Sequence, residues 1–177
     1  MFNRFRRTAA AAAAVIALGG GGVAWAASSA SASAAPTAIG RCTSNNLAVW
    51  VNADSADGTA GTTFYHLDFT NIGRSTCFLN GWPGVSATNA NGNQLGAAAS
   101  RQNGVPAKTI DISPGATAHS VLGYVDVQVD PSCKPANATF LKVFAPGAVQ
   151  AKHAFFPLSV CRTSRNDLNV RRVQAGV

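Results

Sequence analysis

The residues best suited to chemistry are His66 and Asp68. They stand two positions apart in TTFYHLDFT, where Tyr65, Leu67 and Phe69 hold one parity and His66, Asp68 and Thr70 the other. A period of two marks a half-buried strand, so an imidazole and a carboxylate share its wet face. Such a pair can pass a proton or offer two ligands to a metal ion. A third group has to come from His119 or His153, the remaining histidines. The plainer account is a solvated strand face that carries a polar pair, and that account is preferred.

Other chemistries find less support. A nucleophilic serine needs a sharp elbow of the G-x-S-x-G kind, and no such segment occurs. Asp126 and Asp130 lie four positions apart, about 13 Å along a strand, which is too far for paired glycosidase carboxylates. Cys42, Cys77, Cys133 and Cys161 are an even set in a chain that opens with export features, so two disulfides are expected in an oxidising compartment. No C-x-x-C pair exists to suggest zinc. The expectation is therefore no catalytic residue, no metal and no cofactor. Trp50, Trp82, Tyr65 and Tyr124 are the rings that can stack on a sugar. Of these, Trp82 at the head of a turn, Trp50 and Tyr124 are the candidate ligand contacts.

Charge narrows the partners. Three of the 14 basic residues, Arg4, Arg6 and Arg7, sit in the leader; 11 then face 7 acidic residues, and the remaining charge is +4 rather than +7. Arg162, Arg165, Arg171 and Arg172 crowd the C-terminal end, where they can touch anionic wall polymers or headgroups, and the body is near neutral. A nucleic-acid footprint needs a basic face, so nucleic acid is not expected as a partner. A cell-wall polymer or an extracellular protein is. Glutamate is absent and charged residues make up 12%, a composition that favours strands and turns over solvated helices.

The basic start, the apolar run to about Ala27 and the A-x-A patterns that follow, Ala24-Trp25-Ala26 to Ala32-Ser33-Ala34, read as a cleavable secretory signal over 1–34. Arg6-Arg7 also fits a twin-arginine signal. Residues 35–41 read as a short linker, and Arg41 before Cys42 excludes a lipoprotein. The alternative is an uncleaved anchor holding a structural envelope protein.

The elements that position these side chains are short strands between turn signals. Leu47–Val51, Thr62–Thr70, a run from Cys77, Val85–Thr88, Gln94–Ala99, Lys108–Ile112, Thr117–Val129, Thr139–Ala145, Ala154–Cys161 and Leu168–Val173 read as strands. Asn52–Gly61 reads as a polar loop and Asn91-Gly92 as a primed hairpin turn. Pro83-Gly84, Pro114-Gly115 and Pro146-Gly147 read as type II turns. In Thr117–Val129 the alternate valines Val121, Val125, Val127 and Val129 are assigned to the core. Pro157 marks its strand as an edge or bulged one. The domain over 42–173 is thus expected to be an all-β antiparallel sandwich, with a closed barrel as runner-up.

Thr70-Asn71-x-Gly73, Cys77, Leu79, then Gly81-Trp82-Pro83-Gly84-Val85, the later Ser113-Pro114-Gly115, Cys133 and Cys161 together resemble the domain of unknown function 4232, found in secreted and lipid-anchored actinobacterial proteins. The resemblance covers about Arg41 to Arg162. It implies an immunoglobulin-like sandwich outside the membrane and no established reaction. The strand order supports Cys42–Cys77 and Cys133–Cys161 as the bridges, each tying strand ends, and the resemblance points the same way. The expected function is a secreted, non-catalytic binding or interaction module. The competing reading is a small hydrolase or metal-dependent enzyme using His66 and Asp68.

Overall fold

The computed structural model describes residues 38–104, 106–162 and 167–176. The expected signal at 1–34 and the start of the linker lie outside the described residues. Among the described residues the chain is all-β, with two single-turn 3₁₀ segments at Ser44–Asn46 and Val127–Val129. No helix there is long and apolar enough to cross a membrane.

Three sheets enclose one core. The largest runs β2 (Leu47–Thr59), β3 (Thr62–Asn71), β9 (Thr117–Val125), β12 (Leu168–Val170), β7 (Ser100–Arg101), with β13 (Gln174–Ala175) also paired to β9. The second runs β11 (Ala151–Cys161), β10 (Pro135–Phe144), β5 (Gly84–Thr88), β6 (Gln94–Leu95). A small third sheet joins β1 (Gly40–Arg41), β4 (Cys77–Leu79) and β8 (Ile110–Ile112). Leu67, Phe69, Leu122, Leu141 and Leu79 are each 0% exposed and belong to one apolar cluster. Burying a side chain of this size contributes about 1.5–3 kcal/mol relative to leaving it exposed. The cluster draws on all three sheets, so the sandwich is one cooperative body.

The first strand reading holds: Leu67 and Phe69 face the core, and β3 sits between β2 and β9. Cys42 is bonded to Cys77 and Cys133 to Cys161. The first bridge reinforces the pairing of β1 with β4, and the second the pairing of β10 with β11. Pro157 lies where the β10–β11 register shifts, on the edge strand β11, so its missing N–H costs no ladder bond. Pro114-Gly115 and Pro146-Gly147 turn as expected. Each glycine has a positive φ, and the Ala116 and Ala148 amides donate back to the Ser113 and Ala145 carbonyls.

Other expectations are corrected. Gly84 is not a turn residue: it opens β5 opposite Phe144, and the positive φ belongs to Gly81. The connection from β5 to β6 spans Asn89 to Asn93, because the Asn89 carboxamide accepts from the Asn91 and Asn93 amides. The stretch Asn52–Gly61 is mostly strand. It pairs with β3 through a bulge between Asn52 and Asp57, with the Ser55 hydroxyl accepting from the His66 amide. Most instructive is β9, whose core face is Ala118, Ser120 and Leu122 rather than the valines. The strand stops at Val125, where the Asp126 carboxylate accepts from the Gln128 amide and winds Val127–Val129 into a 3₁₀ turn. The sandwich is also not wholly antiparallel, since β1–β4 and β12–β7 are short parallel ladders. Finally, β1 lies within the stretch read as linker, and β13 lies beyond Val173.

Asn71 at the end of β3 fastens these parts together. Its side chain is fully buried; Nδ2 donates to the Ser75 and Ile112 carbonyls, and Oδ1 accepts from the Gly73 amide. Its own carbonyl accepts from Gly115 and its amide donates to Ala116. Gly73 is small because a Cβ there would meet Asn71 Oδ1 at 3.1 Å and Asn46 at 3.2 Å. Asn71→Ala should therefore destabilise the domain by about 2–4 kcal/mol, since buried backbone groups lose their partners. Asn71→Asp should also destabilise it, because a carboxylate cannot donate to two carbonyls. Denaturant unfolding checks both; a loss under about 1 kcal/mol for each would remove Asn71 from this role.

Candidate functional site

Strand register builds the site. Across the outer face of the largest sheet, Trp50 of β2 stands opposite Asp68 of β3, and Asp68 stands opposite His119 of β9. Directly opposed residues on one face lie about 5 Å apart at Cβ, so the row sets two rings on either side of one carboxylate. In the adjacent row Asn52 opposes His66, and His66 opposes Val121. His66 and His119 are therefore diagonal neighbours, and their rings stack at 4.2 Å between centroids with 21° between planes. Trp50, Asn52, His66, Asp68 and His119, together with Asp111 from β8, Thr117 and Gly176, line an open groove of about 610 Å³.

The groove is graded in depth. Trp50 is 45% exposed and stands at the rim, whereas Asp68 is only 6% exposed and forms the floor. Burial raises the Asp68 carboxyl above its ordinary range, and the nearby His66 pulls it partly back. Burial lowers the His119 imidazole, and His66 lowers it further because two adjacent imidazoles resist carrying charge together. A backbone hydrogen bond at Ala175 works against that lowering. The polar side chains lining the groove include two carboxylates and two imidazoles but no lysine or arginine.

The sequence candidates divide clearly. The structure brings His66, Asp68 and His119 to one concavity, while His153 sits on the other sheet against Phe140. Among the described residues no group of three or more His, Cys, Asp or Glu side chains is arranged to hold a metal ion. The one hydroxyl in the groove, on Thr117, is hydrogen bonded to the Thr70 hydroxyl. Of the three aromatic candidates, Trp50 lines the groove. Trp82 is already occupied: the Arg172 guanidinium covers its ring at 3.9 Å, Arg101 approaches at 5.8 Å, and its indole N–H donates to the Gln102 carbonyl. The buried Arg172 Nε has no hydrogen-bond acceptor in the structure, and the indole face beneath the guanidinium is what it gains instead. Tyr124 faces the other sheet and donates to the Ser159 carbonyl. These contacts remove Trp82 and Tyr124 as open stacking platforms.

Sequence reasoning did not single out Asn52, Asp111 or Thr117. Each lies on a different segment from His66, and only the pairing of β2 and β9 with β3, together with the packing of β8 beside β9, gathers them. It also passed over Phe155, which is 69% exposed and meets Phe140 edge to face on the outer side of the second sheet.

The model of the domain of unknown function DUF4232 matches residues 42–175. The chain belongs to this family. No curated protein and no solved structure matches it. The matched span covers every strand of the DUF4232 fold but β1, and all the residues lining the groove except Gly176.

His119 makes stability depend on pH with a definite sign. His119 is harder to protonate in the folded domain than in the unfolded chain, so stability falls as pH drops below the unfolded imidazole range and stops falling below the lowered folded value. Asp68 runs the other way: its penalty is fully present above its raised folded value and is relieved as pH approaches the ordinary carboxylate range. The imidazole changes charge mostly between about pH 7.5 and 5, the interval in which its effect lowers stability as pH falls. His119→Gln should therefore lose less melting temperature over that interval than the wild type. Calorimetry at the two pH values tests this, and equal losses would refute it.

Proposed function

We propose that this DUF4232 protein is exported and acts as a disulfide-stabilised, non-catalytic binding module in the extracellular space or cell envelope. Its ligand enters the groove on β2, β3 and β9. The observation that carries this reading is the row Trp50, Asp68, His119: an exposed ring, a sunken carboxylate and a second ring at fixed spacing on a rigid sheet. Binding sites commonly combine such a concavity with a few convergent polar groups. Two disulfides, a basic and apolar leader and A-x-A sites support export. All four cysteines are in bridges, so none is available as a nucleophile.

A second reading keeps the groove and makes it an enzyme, either a hydrolase or a metal-dependent one. It draws on the convergence of His66, His119 and Asp68.

Affinity capture of native cell-wall and culture-fluid fractions on the immobilised mature domain separates the two. A species retained by the wild type, lost with Trp50→Ala and eluted chemically unchanged supports the binding module. A species converted during contact, with conversion lost in His66→Ala, supports the enzyme. No species that depends on Trp50 at micromolar protein would remove the groove as the binding site.

A further inference from the structure

We propose that the groove recognises a protonated amine, held with its ammonium group against Asp68 and between the rings of Trp50 and His119. This inference rests on the binding role just argued and names the ligand chemistry for it.

Three observations converge. The first is the hydrogen-bonding balance of the lining. The Asp68 and Asp111 carboxylates are acceptors, and the donors among the lining side chains are the neutral groups Asn52, Trp50, Thr117 and the imidazoles, none of them a lysine or arginine. An ammonium group only donates, so it is the complement of these carboxylates, whereas a carboxylate or phosphate would meet acceptors. The second is charge. The groove carries two carboxylates and no lysine or arginine, although the chain as a whole is basic. The Asp68 carboxylate is 6% exposed, and the charge of His66 beside it only partly offsets that burial. A buried carboxylate whose charge is only partly offset gains from a cation supplied next to it. The third is the ring geometry. Trp50 and His119 flank Asp68 directly across the strands, so a cation on the carboxylate lies beside the exposed indole face. Tryptophan is the strongest cation–π partner among the side chains. A neutral sugar would use the same indole and could donate hydroxyls to the carboxylates, but it would not offset their charge as an ammonium group does.

Matched pairs of ligands isolate the charge. Ethanolamine and glucosamine are titrated into the ¹⁵N-labelled mature domain at neutral pH, alongside N-acetylethanolamine and N-acetylglucosamine, which keep the frame and lose the charge. The readouts are the Trp50 indole N–H and the His66 and His119 ring signals. Both amines should shift these signals, with dissociation constants on the order of millimolar, and each acetylated partner should bind at least about tenfold more weakly. Asp68→Asn should weaken amine binding about tenfold, and Trp50→Ala, at a rim position whose replacement leaves the core intact, should weaken it severalfold. Equal binding within each pair overturns the amine inference while leaving a ligand groove in place. The absence of shifts from all four compounds also overturns it, and the Trp50-dependent capture described above then decides separately whether the groove binds anything else.

Discussion

The buried carboxamide of Asn71 is the constraint on which the other contacts depend. The Asn71 side chain closes hydrogen bonds to two segments, the turn through Gly73 and Ser75 and the strand β8 at Ile112, and the Asn71 backbone adds two more to the Pro114-Gly115 turn that feeds β9. Few side chains can do this, because the position needs two donors and an acceptor in one short, neutral, planar group. The consequence is register. With the end of β3 fixed against the start of β9, and Thr70 bonded hydroxyl to hydroxyl with Thr117, the two strands cannot slide. A slip of one residue would turn Leu67 and Phe69 outward and Asp68 into the core. The same lock that protects the core therefore sets Asp68 opposite His119 and Trp50.

The groove follows from that topology. The outer face of a sandwich sheet is ordinarily open to water, and a carboxylate there stays near its ordinary range. Here the face is walled. The small sheet brings Asp111 up along one side, the C-terminal segment lays Gly176 against β9, and Trp50 stands at the rim. Gly176 comes so near Thr117 that a Cβ would collide with the Thr117 carbonyl oxygen. Asp68 thereby loses much of its water while remaining within reach of a ligand, a combination that raises its carboxyl above the ordinary range.

How much of this was legible in the sequence depends on whether local pattern or long-range pairing decides each feature. The parity of Tyr65, Leu67 and Phe69 is a local signal, and it placed His66 and Asp68 on the wet face. The Pro-Gly turns at 114 and 146 are local too, and Pro157 announced its own bulge. The third Pro-Gly pair misled because Pro83 and Gly84 lead straight into β5, with Gly84 packed against Phe144. The sequence reading puts the larger valines of β9 inward, but on the core face Ser120 and Ala118 stand directly beside Leu67 and Phe69 of β3, which supply the bulk there. Size ranks hydrophobicity, while the space left by neighbouring side chains decides which face goes in. Trp82 and Tyr124 failed as ligand candidates for a similar reason. Their partners, Arg172 and Ser159, are about 90 and 35 positions away, and no spacing rule connects them.

The placement of arginine explains how a basic chain can keep an acidic pocket. Arg172 and Arg101 lie against Trp82, Arg41 lies over Phe78, and Arg171 lies over Phe64. Each guanidinium is drawn to an aromatic face, which fixes its position more firmly than a solvated surface would. None of these arginines lines the groove, although Arg171 borders the neighbouring hollow that shares His66. At physiological ionic strength charges interact over about 8 Å, so the sum over the whole surface counts for less than the few groups around Asp68. The net charge therefore misdescribes the surface that matters. Four of the arginines that make the chain basic are held against aromatic rings, and two of its carboxylates meet where strand register leaves a concavity.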